Sequence, residues 1–177
     1  RLQKSMFSTD LQHAALGLYD NETFTPLSVK ADLFNLVRGV DVAGNENDTP
    51  IEVFAPAIRV LRASQKGTVC IHYKHRRQMH LTIHAGEDYS HLVCGLRSID
   101  ETVNFCAYKQ GDRIGHALAL GVDVKLWSQR QQRIYLTAGK HLDNLVWCHA
   151  QAIKIIKTNS FFYAAIPLLE QKIAKWS

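Results

Sequence analysis

From residue 36 onward the chain alternates short apolar runs with longer stretches of helical spacing. "LVRGVDVAG", residues 36 to 44, gathers Leu36, Val37, Val40 and Val42 into a run closed by Gly44, which reads as a buried strand. After the polar turn "NENDTP", the stretch "IEVFAPAIRVLRAS" (51–64) sets Ile51, Phe54, Ile58 and Leu61 at helical intervals, with Pro56 expected near the first turn. "TVCIHY" (68–73) and "MHLTIH" (79–84) are the next extended candidates. From Ser90, an expected N-cap, "HLVCGLRSIDETVNFCAYKQ" is periodic through Leu92, Leu96, Ile99, Val103 and Cys106. "GDRIGHALALG" (111–121) returns to a strand-like stretch between glycines. Strand, helix, strand, helix, strand is the order of parallel βαβ units.

The flanks differ from this middle. Residues 1 to 35 are mixed and have room for one short helix. After residue 121 the pattern predicts two or three helices, with Leu142, Leu145, Val146, His149 and Ile153 on one stripe and Asn159-Ser160 capping the next helix. Trp147 and Trp176 read as packing residues on such stripes. We therefore divide the chain into residues 1–121 and a mostly helical insertion or appended subdomain, 122–177.

Composition narrows the class. With 177 residues, 46% of them hydrophobic, the chain can bury a core of single-domain size. It has no run of eighteen apolar residues, so no membrane-spanning helix is expected. The Arg1 start, without an initiator methionine or a leader pattern, leads us to expect a piece of something longer. The four cysteines are widely spaced and form no CxxC pair, which suits free thiols in a reducing, cytoplasmic compartment. Net charge is a mild +5, its densest cluster being Lys74-His75-Arg76-Arg77. That cluster reads as a solvated loop, and no interleaved aromatics make it a nucleic-acid surface.

The candidate chemistry lies at the ends of the predicted strands. In "LTIHAGED" (81–88) a β-branched run stops at His84, and Glu87 follows beyond an Ala-Gly step. A strand-terminal imidazole can ligate zinc, and a glutamate three residues on can reach the same cavity as a proton donor. The equally weighted alternative is an ordinary turn in which Glu87 and Asp88 favour the next helix N-terminus. "RIGH" closes a second short strand on His116, and neighbouring strand ends lie side by side. In "GVDVAG" a glycine past a strand end lets a ligand approach the backbone. His80 reads as a strand packing residue, because positions four apart on a strand are about 13 Å apart, too far to share one zinc with His84.

In this order "GVDVAGNE" (39–46), "HAGED" (84–88) and "RIGHA" (113–117) resemble three segments of the adenosine deaminase family of metal-dependent hydrolases. The likeness covers roughly residues 36 to 121. It implies a partial (β/α)8 TIM-type barrel, of which residues 1–121 are the central part. It also implies a Zn2+ cofactor held by His84, Glu87 as the acid for the purine ring, His116 acting on water, and Gly44 contacting the substrate through its backbone. Asp41 is implied as structural support. The reaction implied is hydrolytic deamination of an adenine nucleoside or nucleotide. The chain departs from the family in lacking the H-x-H pair and the late Asp-Asp pair, and in carrying Ala117 where glycine is usual.

The long Glu87-to-His116 spacer and the "HLDNLVW" stretch are similar to the large deaminase subunit of RADAR-type bacterial antiphage systems. That likeness implies a homo-oligomer and an ATPase partner. The competing reading is a non-catalytic scaffold or shell protein that has lost its full zinc site. A zinc cytidine deaminase needs H-x-E with P-C-x-x-C, which is absent here.

Overall fold

The computed structural model describes residues 39–67 and 79–177, with side chains of the first stretch described up to residue 63. The helix expected within 1–35, the strand at 68–73, Cys70 and the basic cluster 74–77 lie outside the described residues. Three strands form one parallel sheet in the order β1 (Gly39–Val42), β2 (His80–Ala85), β3 (Arg113–His116). Helix α1 (Ile51–Gly67) links β1 towards β2, and α2 (Leu92–Phe105) links β2 to β3. After β3 come a 3₁₀ turn (Leu118–Gly121), α3 (Val124–Arg130), α4 (Ala138–Ile155), a second 3₁₀ turn (Ser160–Ala164) and α5 (Ala165–Trp176). The parallel βαβ order expected from the pattern is present.

The barrel is not. The described residues form a small open α/β sheet of three strands with five helices, and this corrects the expected (β/α)8 fold class. Neighbouring strands twist by only about 20–25°, so three of them turn far too little to close on themselves.

The period-2 pattern of β2 decides how this sheet packs. Leu81, Ile83 and Ala85 are buried, whereas His80, Thr82 and His84 are only partly so. In register, Val40 pairs with Leu81 and Val42 with Ile83, while Ile114 pairs with Ile83 from the other side. These residues therefore share the apolar face. Ile51, Ala55 and Ile58 of α1 pack on Leu81, Ile83 and Cys106 in one cluster. Leu92 and Ile99 of α2 pack with Ala85 and Ala119 in a second. Fully burying side chains such as Leu81 and Ile83 contributes about 1.5–3 kcal/mol each. The opposite parity places Asp41, His84 and Gly115 on the other face.

Two local details differ from the pattern. Pro56 lies inside α1, in its second turn, because the helix already starts at Ile51. The N-cap of α2 is His91 rather than Ser90, its Nδ1 accepting the Val93 N–H at 3.0 Å. Helix α4 is capped by Thr137, and it docks on α2 through Trp147 Nε1 donating to Asp100 at 2.8 Å and Arg97 donating to Asn144 at 3.2 Å. Trp147 thus combines packing with an anchoring hydrogen bond. Cys94, Cys106 and Cys148 are free thiols, and burial pushes Cys106 up to about 11, against the pull of Arg62 and Arg59.

The amino ends of β2 and β3 are held by Asp112, whose side chain is fully buried. Its carboxylate accepts the N–H groups of Leu81 at 2.9 Å and Lys109 at 2.6 Å, and pairs with the buried Arg62 of α1. Burial alone would raise this carboxyl. The two N–H donors and the guanidinium outweigh it and hold the group below its ordinary value. A carboxyl lowered on folding contributes stability above the unfolded value and loses it as pH falls through the folded one. We expect Asp112→Ala to cost about 3 kcal/mol in urea unfolding at neutral pH, because Arg62 is left buried without its partner. The gap between wild type and variant should narrow as the pH drops below the carboxylate range, and a gap independent of pH would contradict this reading.

Candidate functional site at the carboxyl edge of the sheet

Parallel strands end at the same edge, so the last residues of β2 and β3 must meet. His84 lies opposite Gly115, and Ala85 opposite His116. Gly115 is required by this neighbour: a Cβ there would come within 2.5 Å of the His84 ring. Across that gap the His84 and His116 rings stand edge to face, with centroids 4.9 Å apart.

Glu87 closes the group. Its Oε2 lies 3.4 Å from His84 Nδ1 and 3.6 Å from His116 Nε2. The second His84 nitrogen, Nε2, faces the Asp41 carboxylate at 3.6 Å. These are ion-pair separations, longer than good hydrogen bonds. One ligand atom from each of His84, Glu87 and His116 falls within 4.8 Å of the others. Donors around one zinc, each about 2.0–2.2 Å from it, lie roughly 3.5 Å apart, so a contraction of about an ångström suits the group to such an ion. Two imidazoles and a carboxylate are also the donor types zinc takes. Asp41 behind His84 matches the carboxylate–histidine arrangement that orients a ligating ring.

The sequence motifs thus bring His84, Glu87 and His116 together, with Asp41 beside them. Gly44 lies at the same edge, two residues past β1, with φ +145° and open space where a Cβ would stand. The structure gives it no contact with the three side chains. His80, at the amino end of β2, stands away from this edge, over Gly111 and 3.8 Å from Asp112.

Sequence reasoning assigned no role to Glu46, yet this carboxylate organises the site. Its oxygens accept the N–H groups of Gly86 at 2.8 Å, Glu87 at 2.7 Å and Asp88 at 3.2 Å, and the Ser98 hydroxyl at 2.8 Å. Its only signal in the sequence is its place at the end of "GVDVAGNE". The turn it holds also needs Gly86, at φ +73°, where a Cβ would strike Ile99 at 2.4 Å. The Gly86 carbonyl accepts the Ala119 N–H at 2.9 Å, which ties the β3 loop to the same turn. Asn47 donates to the Asp88 carbonyl at 3.1 Å and accepts from Lys140 of α4 at 3.2 Å.

His116 and Ala117 have φ of +55° and +50°, a left-handed pair outside the conformations L-residues favour. The Ala117 N–H donates back to the Gly115 carbonyl at 2.7 Å, and this tight reversal sets the His116 ring toward Glu87. Backbone held in such a region concentrates at functional sites.

No protein-family model matches the chain, and no curated protein matches it.

Two outcomes follow from this geometry. Glu46→Ala should cost about 2 kcal/mol, since it leaves three N–H groups without their carboxylate, and it should speed hydrogen exchange at residues 86–88 more than in β2. Unchanged exchange there would remove Glu46 from its organising role. Ala117→Gly should stabilise the chain by about 1 kcal/mol in thermal or urea unfolding, because glycine adopts positive φ freely. Destabilisation would show that the methyl packing of Ala117 outweighs its backbone strain.

Proposed function

We propose that the chain carries part of the catalytic site of a zinc-dependent deaminase acting on adenine nucleosides or nucleotides. The observation that supports this most is the convergence of His84, Glu87 and His116 at neighbouring strand ends, within 4.8 Å of one another. The order of the three motifs that carry these residues adds to it.

In this reading His84 holds the metal, with Asp41 fixing the ring's tautomer from behind. Zinc bound there would supply Lewis acidity and a nucleophilic water at neutral pH. Attack at C6 of the purine builds electron density on the ring, which protonation at N1 relieves. Glu87 is the residue to deliver that proton: it sits between the two histidines, and the Glu46 clamp sets its backbone. His116 takes the proton from the attacking water or stabilises its charge. His116 returns the water proton to the C6 amino group, which leaves as ammonia. The C6 hydroxyl proton goes back to Glu87, and the carbonyl of the inosine form is left. The H-x-H and Asp-Asp pairs of the family do not occur in the 177 residues. Were these 177 residues the whole protein, that observation would favour a second reading, a non-catalytic scaffold with a residual site; in a longer protein the missing pairs belong to other segments.

Zinc content and ammonia release from adenosine and dATP separate the two. Glu87→Gln should keep its zinc and lose about 10²–10⁴-fold in rate, the range of a general acid. His84→Ala should lose the zinc itself. Normal turnover by Glu87→Gln would end the proposed acid role. Loss of zinc from that variant would make Glu87 a ligand instead. A chain that binds zinc and releases no ammonia from either substrate would favour the scaffold.

A further inference from the structure

A second cleft lies apart from the His84–Glu87–His116 group, among α3, the segment that follows it, and the facing ends of α4 and α5. Its volume is about 450 Å³, within the usual range for small-molecule sites. Two histidine–tryptophan pairs line it. The His91 and Trp127 rings are 4.9 Å apart and edge to face, and the His141 and Trp176 rings 5.0 Å apart in the same manner. Between them stand uncharged polar groups, among them Ser128 and Gln131. Among the described residues that line it there is no lysine, arginine, aspartate or glutamate.

This chemistry is selective. A cation would meet two indole faces but, among the described lining residues, no carboxylate to neutralise it. An anion would find no guanidinium or ammonium among the described lining residues. His91 adds no charge at neutral pH: burial, and then the neighbouring His141, hold its imidazole below the ordinary value. Its Nδ1 is already committed to the Val93 N–H, which leaves Nε2 as a donor. An aliphatic ligand would use the apolar surface and leave the amide and hydroxyl groups unmatched. A flat ring with donors and acceptors on its edge uses both, stacking on indole and pairing with Gln131 and Ser128.

We propose that this cleft binds a neutral planar heteroaromatic ring of the nucleobase type, stacked on Trp127 and Trp176 and read at its edge by Gln131. It is a binding site distinct from the candidate catalytic group, and it does not rest on the deaminase reading.

The test uses the full chain and free adenine as the probe, followed by tryptophan fluorescence. Two of the three tryptophans lie in the cleft, and Trp147 sits on the α2–α4 contact instead. Adenine should quench emission saturably, and Gln131→Ala, at an exposed position, should weaken its apparent affinity about tenfold. Glu87→Gln should leave the quenching curve unchanged. Equilibrium dialysis of labelled adenine against the same three proteins checks the result without relying on emission. No saturable quenching, or equal affinity in Gln131→Ala, would overturn the proposal. Quenching lost in Glu87→Gln would also overturn it, because the probe would then be reporting the other site. Loss of deamination in Glu87→Gln with quenching retained leaves both readings intact and separately measured.

Discussion

The Glu46 carboxylate is the interaction on which the carboxyl edge depends. One side chain from the loop after β1 satisfies three consecutive N–H groups of the 86–88 turn and the Ser98 hydroxyl of α2. Four donors converging on one partly buried carboxylate form a cooperative network rather than a set of isolated contacts. Through the Gly86 carbonyl the same turn accepts Ala119 from beyond β3. The loops after all three strands are therefore tied at one point, and Glu87 leaves that point directly toward the two histidines. The opposite edge has its own anchor in Asp112, which joins the starts of β2 and β3 to α1. A short sheet with two such anchors holds its strand ends in register without the closure of a barrel.

Much of this was legible because short-range chemistry dictates it. The alternation in "HLTIHA" marks β2, and the outer glycines of "GDRIGHALALG" bracket the stretch that holds β3. Two histidines ending neighbouring parallel strands had to share one edge. The register, however, sets His116 beside Ala85, and it is the left-handed turn at His116 that brings its ring to His84. Gly115 and Gly86 were visible as motif glycines, but their reasons emerge only from packing: one admits the His84 ring, the other the Ile99 side chain. The partners of Glu46 lie 40 to 52 positions away, a separation to which no local pattern is sensitive. Asp41 reaches His84 only because β1 and β2 pair in the observed register.

The barrel expectation failed for an instructive reason. Three motifs at strand ends specify the edge of a parallel sheet, and any parallel sheet has such an edge. They carry no information on how many strands follow. The replacement of the expected N-cap has a related cause: Ser90 and His91 are both able to accept an N–H, and the imidazole reached Val93. Ala117 keeps a left-handed backbone despite its methyl group, held by the bond to Gly115 and the packing of its neighbours around Ala119.

What the whole reading turns on is that His84 holds one metal ion, with Glu87 and His116 from the neighbouring strand end beside it. Cobalt(II) substitution followed by visible absorption tests it most directly, because the d–d bands report the ion's ligands. We expect one cobalt per chain, with bands that vanish in His84→Ala and shift in His116→Ala while the far-ultraviolet circular dichroism stays unchanged. An identical cobalt spectrum in wild type and both variants would contradict it.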